Sequence, residues 1–253
     1  MENQNNIVRI LNVVFNNITK KELLESFHEG LLLTPNIDVV LNNNSNIEVY
    51  QAYKKGTFIV CDSRVLGKLA PILGYKFKEI IPGSLFFEDY YMYHAEDPDC
   101  RIFLLGAAEG VAEKAKKKIN EKVGRDIVVG AYSPPMGFEK NKNEIDKIIS
   151  IIDDSKATVV VTGLSEPKQP IWLANYMDRF ANAKSFLALG STIDMEAGLI
   201  NRAPEFYRKH SLEWLYRMFS QPKRTIPRVW RDLTFFWFLF LQKIGRYNNP
   251  FEN

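Results

Sequence analysis

Along residues 1–201, short apolar runs alternate with amphipathic stretches. The runs rich in Val, Ile and Leu are IVRILNVVF (7–15), GLLLTPN (30–36), TFIVCDS (57–63), RIFLLGAA (101–108), DIVVGAYSP (126–134), ATVVVTGLS (157–165) and SFLALGSTID (185–194). Several are continuous rather than alternating, the pattern of parallel strands covered on both faces. Helical patterns lie between them. Thr19 is placed to cap KKELLESFHEG, Glu109 opens GVAEKAKKKINEKVG, and NKNEIDKIISIIDDS sets Ile145, Ile148, Ile149 and Ile152 at helical spacing. Strands alternating with helices of this length predict an α/β layered fold around a parallel sheet. There is no internal repeat and no low-complexity linker; the Asn-rich stretch 41–46 is short and flanked by apolar residues.

Polar residues and glycines gather just after the strands: Thr34-Pro35-Asn36, Cys61-Asp62-Ser63, Gly106-Ala107-Ala108, Gly163-Leu164-Ser165, and Gly190 through Asp194. In parallel α/β sheets this edge, beside the helix N-termini, is where ligands bind. The placement predicts a site without naming its chemistry.

Asp62 closes an apolar run, where a carboxylate can face a cleft as a general base. On the local pattern alone, a helix N-cap is the favoured reading. Thr34 and Asn36 flank Pro35, a combination that stiffens a turn and presents two polar side chains. Glu166-Pro167-Lys168-Gln169 opens a helix, with Pro167 structural and Gln169 a candidate for a sugar or nucleotide. Asp97-Pro98-Asp99 has the Asp-x-Asp form of some metal–nucleotide sites but precedes its strand, at the wrong edge, and reads as a turn. Gly106 and Gly110 lack the spacing of a dinucleotide fingerprint, although Gly106 lets backbone amides approach a phosphate or a uracil. His28, His94 and His210 are scattered and read as surface or core residues.

Composition changes the picture at one end. Of 253 residues, 46% are hydrophobic and 25% charged, ordinary values for a globular protein. Cys61 and Cys100 have no metal-type spacing and fit a reducing compartment. The start MENQNNIVRI is not a signal peptide, so the body is expected in the cytosol. Charge is uneven: residues 202–253 carry +6 and residues 1–201 carry −3. The basic stretch also holds the densest aromatic run, Phe235, Phe236, Trp237, Phe238 and Phe240. Basic residues beside an aromatic run suit the surface of an anionic bilayer. The run 233–241 is far short of the roughly 20 residues a spanning helix needs. Pro227 suits the first turn of a helix carrying Arg224, Arg228 and Arg231 on one side, with Trp230, Leu233 or Thr234, Trp237 and Leu241 on another. Arginine forks match phosphate oxygens. The alternative is a basic solvated face packed on the body, with the aromatics as core. The division expected is a body over 1–201 and an appendage over 202–253.

Taken together, these residues resemble the WecG/TagA/CpsF glycosyltransferases, glycosyltransferase family 26. The resemblance runs through Thr34-Pro35-Asn36, Asp62, Leu104-Leu105-Gly106, Pro167-Lys168-Gln169 and Asp194. It continues through Arg202-Ala203-Pro204, Leu212-Glu213-Trp214-Leu215-Tyr216-Arg217 and Pro222-x-Arg224, covering nearly the whole chain. The chain departs from the pattern at Ser63 (usually Gly), Pro170 (usually Glu), Ile80 (usually Arg) and Leu85 (usually Asp).

The resemblance implies a Rossmann-like parallel-sheet body with helices on both faces and a C-terminal helical, membrane-associating appendage. It also implies an inverting, metal-independent enzyme without a cofactor. Such an enzyme moves a sugar, commonly of the N-acetylmannosamine type, from UDP to a polyprenyl-diphosphate-linked sugar in cell-surface polysaccharide or teichoic-acid-type biosynthesis. By position, Asp62 corresponds to the base, with Thr34, Asn36, Gly106, Gln169, Asp194, Arg202 and Arg217 at the substrates. Arg224, Arg228 and Arg231 correspond to the diphosphate-binding arginines. The partners expected are a UDP-sugar, the lipid-linked acceptor and an anionic membrane surface on its cytoplasmic face, with peripheral attachment. No nucleic acid is expected, and a homo-oligomer is left open. The competing reading is a non-catalytic scaffold that keeps affinity for UDP-sugar or lipid. An unrelated Rossmann-type nucleotide enzyme is disfavoured by the RAP and LEWLYR blocks.

Overall fold

The computed structural model describes residues 6–200 and 222–252. The first apolar run, expected as one strand, is two. β1 (Ile7–Ile10) and β2 (Val13–Asn16) form an antiparallel hairpin closed by Leu11 and Asn12. Leu11 adopts a left-handed φ of 53°, uncommon for a bulky residue. Burial of its side chain and the hydrogen bond that its N–H donates to Gln242 Oε1 hold it there.

Six strands then form one parallel sheet: β3 (Gly30–Leu33), β4 (Phe58–Ile59), β5 (Ile102–Gly106), β6 (Val128–Tyr132), β7 (Val159–Gly163) and β8 (Ser185–Ala188). Their order is β4-β3-β8-β7-β5-β6. Successive residues of a strand point to opposite faces, and here both faces are core. Leu31, Leu33, Phe103, Leu105, Val160 and Phe186 join one hydrophobic cluster. Leu32, Ile102, Leu104, Val159, Val161 and Leu187 join the other. That double burial is why the runs are continuously apolar. β4 is shorter than expected because it is an edge strand beside a short neighbour. After Val60 donates to Leu33 O, the chain turns away and Cys61 O accepts from Ile81 N–H instead.

The helices are α1 (Lys20–Ser26), α2 (Ile37–Ser45), α3 (Ile47–Lys54), α4 (Arg64–Leu69), α5 (Gly83–Tyr93), α6 (Val111–Val123), α7 (Lys142–Asp154), α8 (Lys168–Tyr176), α9 (Thr192–Glu196) and α10 (Pro222–Lys243). Thr19 and Glu22 form a reciprocal capping box on α1, as the pattern predicts. Helix α7 buries Ile145, Ile148, Ile149 and Ile152. Helix α6 starts at Val111 rather than Glu109, after Gly110 in a left-handed conformation. The Asn-rich stretch belongs to the end of α2, and Asn46 caps α3.

Helix α10 starts at Pro222, so Pro227 lies in its second turn rather than in the first as expected. A proline in the first position of a helix gives up no intrahelical hydrogen bond. The helix packs on α2 and on the 3-10 turn Ala70–Leu73. Phe235 and Leu239 are fully buried in the first core cluster, and Phe238 is half-buried against it. Gln242 grips the hairpin turn: its Oε1 accepts from Leu11 N–H at 2.8 Å and its Nε2 donates to Arg9 O at 3.1 Å. Beyond the helix, Tyr247 bonds Asn44, and both Asn249 and Glu252 bond the Tyr50 hydroxyl. Residues 233–252 are thus joined to the body through its core. The aromatic run serves two faces. Leu233, Phe236, Trp237, Phe240 and Ile244 are exposed, at the spacing of a helical stripe, while Phe235 and Leu239 are buried. Among the described residues, no helix is long and apolar enough to cross a membrane.

Candidate active site

A cleft of about 290 Å³ opens at the carboxyl edge of β3, β4, β7 and β8. Thr34, Asn36, Asp62, Gln169 and Asp194, far apart in sequence, all line it. Asn36 also caps α2, its Oδ1 accepting from Val39 N–H at 3.2 Å. The capping role open to Asp62 belongs to its neighbour, since Ser63 Oγ accepts from Leu66 N–H at 3.3 Å. Asp62 turns instead to the first residue of α5, its Oδ1 accepting from Gly83 N–H at 3.0 Å. Position 83 must be small for this approach: a Cβ there would meet Thr34 Oγ1 at 2.9 Å and a Leu189 methyl at 3.1 Å.

Gln169 is 1% exposed. It reaches across the cleft wall rather than into it, with Oε1 accepting from Gly190 N–H at 3.1 Å and Nε2 donating to Glu166 Oε1 at 3.4 Å. Gly106 lies at the same sheet edge, one strand away, and is not part of the cleft wall. Its φ of +120° and its approach to β7, where a Cβ would lie 2.8 Å from the Gly163 carbonyl, give it a structural reason to be glycine. Of the positions departing from the family pattern, Ile80 packs over Gly67 and Pro170 is buried in the first turn of α8.

Arg202 and Arg217 lie outside the described residues. Arg224, Arg228 and Arg231 fall within the span of α10, and their side chains also lie outside the described ones. Among the described residues, the cleft wall carries Asp62, Glu166 and Asp194 and no Lys, Arg or His. The negative charges bear on their surroundings: burial first, then Glu166 and Asp62, push the Tyr53 phenol well above its ordinary value. Burial, with a lesser effect from Asp62, pushes the Cys61 thiol up. Neither is a nucleophile at neutral pH. Among the described residues, no three His, Cys, Asp or Glu side chains come together as metal ligands.

Ser191, within the stretch Gly190 through Asp194 expected at this edge, lines the cleft as well; so do Gly83, Ser84 and Glu166, which sequence reasoning did not name as site residues. The Pro-Gly-Ser that opens α5 is a helix-start signal that could have drawn attention to Gly83 and Ser84. Glu166 stood in plain view before Pro167, and nothing local distinguished it from a solvated loop carboxylate.

A parallel sheet with a carboxylate held in a cleft at its carboxyl edge is a framework on which α/β proteins place a ligand site. A sequence profile of the "Glycosyl transferase WecG/TagA/CpsF family" matches residues 8–249. The chain belongs to that family and is a glycosyltransferase. It is similar to the N-acetylglucosaminyldiphosphoundecaprenol N-acetyl-beta-D-mannosaminyltransferases of Staphylococcus aureus strains MRSA252, MW2 and NCTC 8325. Each is 25% identical over 231 residues, covering 86% of this chain and 86% of the relative.

Proposed function

We propose that this glycosyltransferase moves an N-acetylmannosamine-type sugar from UDP to a polyprenyl-diphosphate-linked N-acetylglucosamine, in cell-surface polysaccharide or teichoic-acid-type synthesis. The observation that carries the reading is Asp62, fixed by Gly83 N–H in the cleft at the ligand edge. The relatives' names supply the acceptor and the sugar. In the reaction, Asp62 takes the proton from the acceptor hydroxyl as its oxygen attacks the anomeric carbon. The bond from that carbon to the UDP oxygen breaks, its electron pair stays on the diphosphate, and the configuration inverts.

The departing diphosphate needs positive charge or aligned N–H groups. The described cleft wall offers three carboxylates and no cation, so that charge is assigned to Arg202, Arg217, Arg224, Arg228 and Arg231, without a metal. The exposed stripe of Leu233, Phe236, Trp237, Phe240 and Ile244 suits insertion at a bilayer surface. With the +6 charge of residues 202–253, attraction is roughly 1 kcal/mol per basic residue held near an anionic surface. An apolar face plus basic charge gives the two signals that stable peripheral attachment requires. The enzyme would then meet its lipid-linked acceptor at the cytoplasmic face.

The test is UDP release from a panel of UDP-sugars with a polyprenyl-diphosphate-N-acetylglucosamine acceptor, the product being confirmed by mass. Transfer from the N-acetylmannosamine donor supports the reading. Binding of UDP-sugar without turnover on any acceptor would return the chain to the scaffold reading.

A further inference from the structure

The contacts of Gln169 have a direction. Gly190 N–H can only donate, so it requires an acceptor; a carboxylate at Glu166 can only accept, so it requires a donor. The Gln169 carboxamide satisfies both in one orientation, Oε1 to Gly190 and Nε2 to Glu166. Turned over, it would set NH2 against N–H at one end and oxygen against oxygen at the other. Gln169 belongs to α8, which follows β7, whereas Gly190 lies in the loop after β8. The amide is therefore a strap between two walls of the cleft. Gly190 has a φ of +60° and is followed by Ser191 and Asp194, both on the cleft wall. The position of that loop sets the shape of this side of the cleft. Pro170, buried next to Gln169, has no polar side-chain group with which to hold the amide.

We propose that Glu166 is a positioning residue for sugar transfer: its carboxylate fixes the Gln169 amide in the orientation that ties Gly190 and the loop after β8 into place. The proposal rests on the reading of the cleft as the UDP-sugar site. Glu166 acts through Gln169 as a hydrogen-bond acceptor, so an amide oxygen at the same place does the same work. Glu166→Gln therefore keeps the strap, and Glu166→Ala removes its fixed end and leaves the buried Nε2 without its acceptor.

The experiment compares wild type, Glu166→Ala and Glu166→Gln in two measurements. One is steady-state transfer with varied UDP-sugar. The other is hydrogen exchange of the Gly190 amide in the full chain, which needs no turnover. In Glu166→Ala, KM for the UDP-sugar is expected to rise about tenfold with a smaller change in kcat, the scale of one lost hydrogen bond, and Gly190 should exchange faster. Glu166→Gln should restore both to within about threefold of wild type, on the same scale. Wild-type KM and wild-type Gly190 exchange in Glu166→Ala would overturn the proposal. So would a Glu166→Gln variant with a protected Gly190 amide and the KM of the alanine variant, because charge rather than the strap would then matter. If wild type transfers no sugar but Gly190 exchange follows the expected order, the strap stands and the proposed function fails.

Discussion

Asp62 and Gly83 meet on the wall of the cleft: the carboxylate of one accepts from the backbone N–H of the other at 3.0 Å. Asp62 belongs to the turn after β4 and Gly83 opens α5. The contact ties the candidate base to the start of a helix, where N–H groups favour a negative partner.

Replacing Asp62 by Asn should therefore separate chemistry from folding. The amide oxygen still accepts from Gly83, so Tm and UDP affinity are expected to stay near wild type. The proton acceptor is lost, and kcat should fall by about 10²–10⁴. UDP release, with calorimetry for UDP binding, measures both, and near-normal turnover would remove Asp62 from the role.

Two aromatic neighbours on α10 should behave in opposite ways. Phe235 is 0% exposed and Trp237 is 60% exposed. Phe235→Ala should cost roughly 3–5 kcal/mol of stability through the cavity it leaves. Trp237→Ser should change stability by less than about 0.5 kcal/mol yet weaken binding to anionic vesicles. Denaturation and vesicle co-sedimentation of both variants make the comparison, and unchanged vesicle binding in Trp237→Ser would argue against membrane insertion of this face.

Charge reversal at Arg224, Arg228 and Arg231 is expected to impair turnover even on a short-chain, soluble acceptor. Membrane attraction plays no part in that assay, so a loss of kcat reports contact with the diphosphate. Normal kinetics on the soluble acceptor, with loss only on vesicles, would assign these arginines to the lipid surface alone.

Gly106→Ala tests the packing at the ligand edge. A Cβ there would lie 2.8 Å from the Gly163 carbonyl on a backbone with φ of +120°. The substitution should destabilise by more than about 1 kcal/mol, read by urea denaturation. A Tm equal to wild type would show that β5 and β7 separate freely at this point.

A pH dependence follows from the start of α8. Lys168 Nζ lies 2.6 Å from Glu139 Oε1. That hydrogen bond is the largest cause holding the Glu139 carboxyl below the ordinary range, with the charges of Lys168 and Lys140 adding to it. A depressed folded value means the stabilisation is fully present above the unfolded value, about 4.3. It is lost as pH falls through the lower folded value. Wild type and Glu139→Gln should differ by less than about 1 kcal/mol at pH 7, because Lys168 is partly exposed. The difference should vanish in acid; a difference that grows below pH 4 would contradict the pairing.

Much of this was legible because the sheet is buried on both faces. Strands such as 102–106 and 159–163 have core on either side, so their sequences are apolar without a break. The gathering of Thr34, Asn36, Asp62 and Asp194 at one cleft follows from parallel strands that all end at the same edge. What was hidden depends on contacts distant in sequence. The bend at Leu11 has no glycine to announce it and is held by a residue 231 positions away. The aromatic run around Phe235 looked uniform, yet α10 has a core side and an exposed side. The inward turn of Gln169 depends on Gly190, in a loop of another strand.

The grip of Gln242 on the hairpin also orders events during synthesis. The hairpin is made before α10, since Leu11 precedes Gln242 by 231 residues. Until α10 is made, the part of the first core cluster that Phe235 and Leu239 complete is open, and transiently exposed surface of this kind invites aggregation. Closing that contact is a long-range step, slow compared with formation of the local helices. The outward stripe of α10 takes its fixed orientation only once its inward side has docked. A nascent chain therefore cannot present the oriented stripe, and only the finished fold is equipped for the surface where it would work.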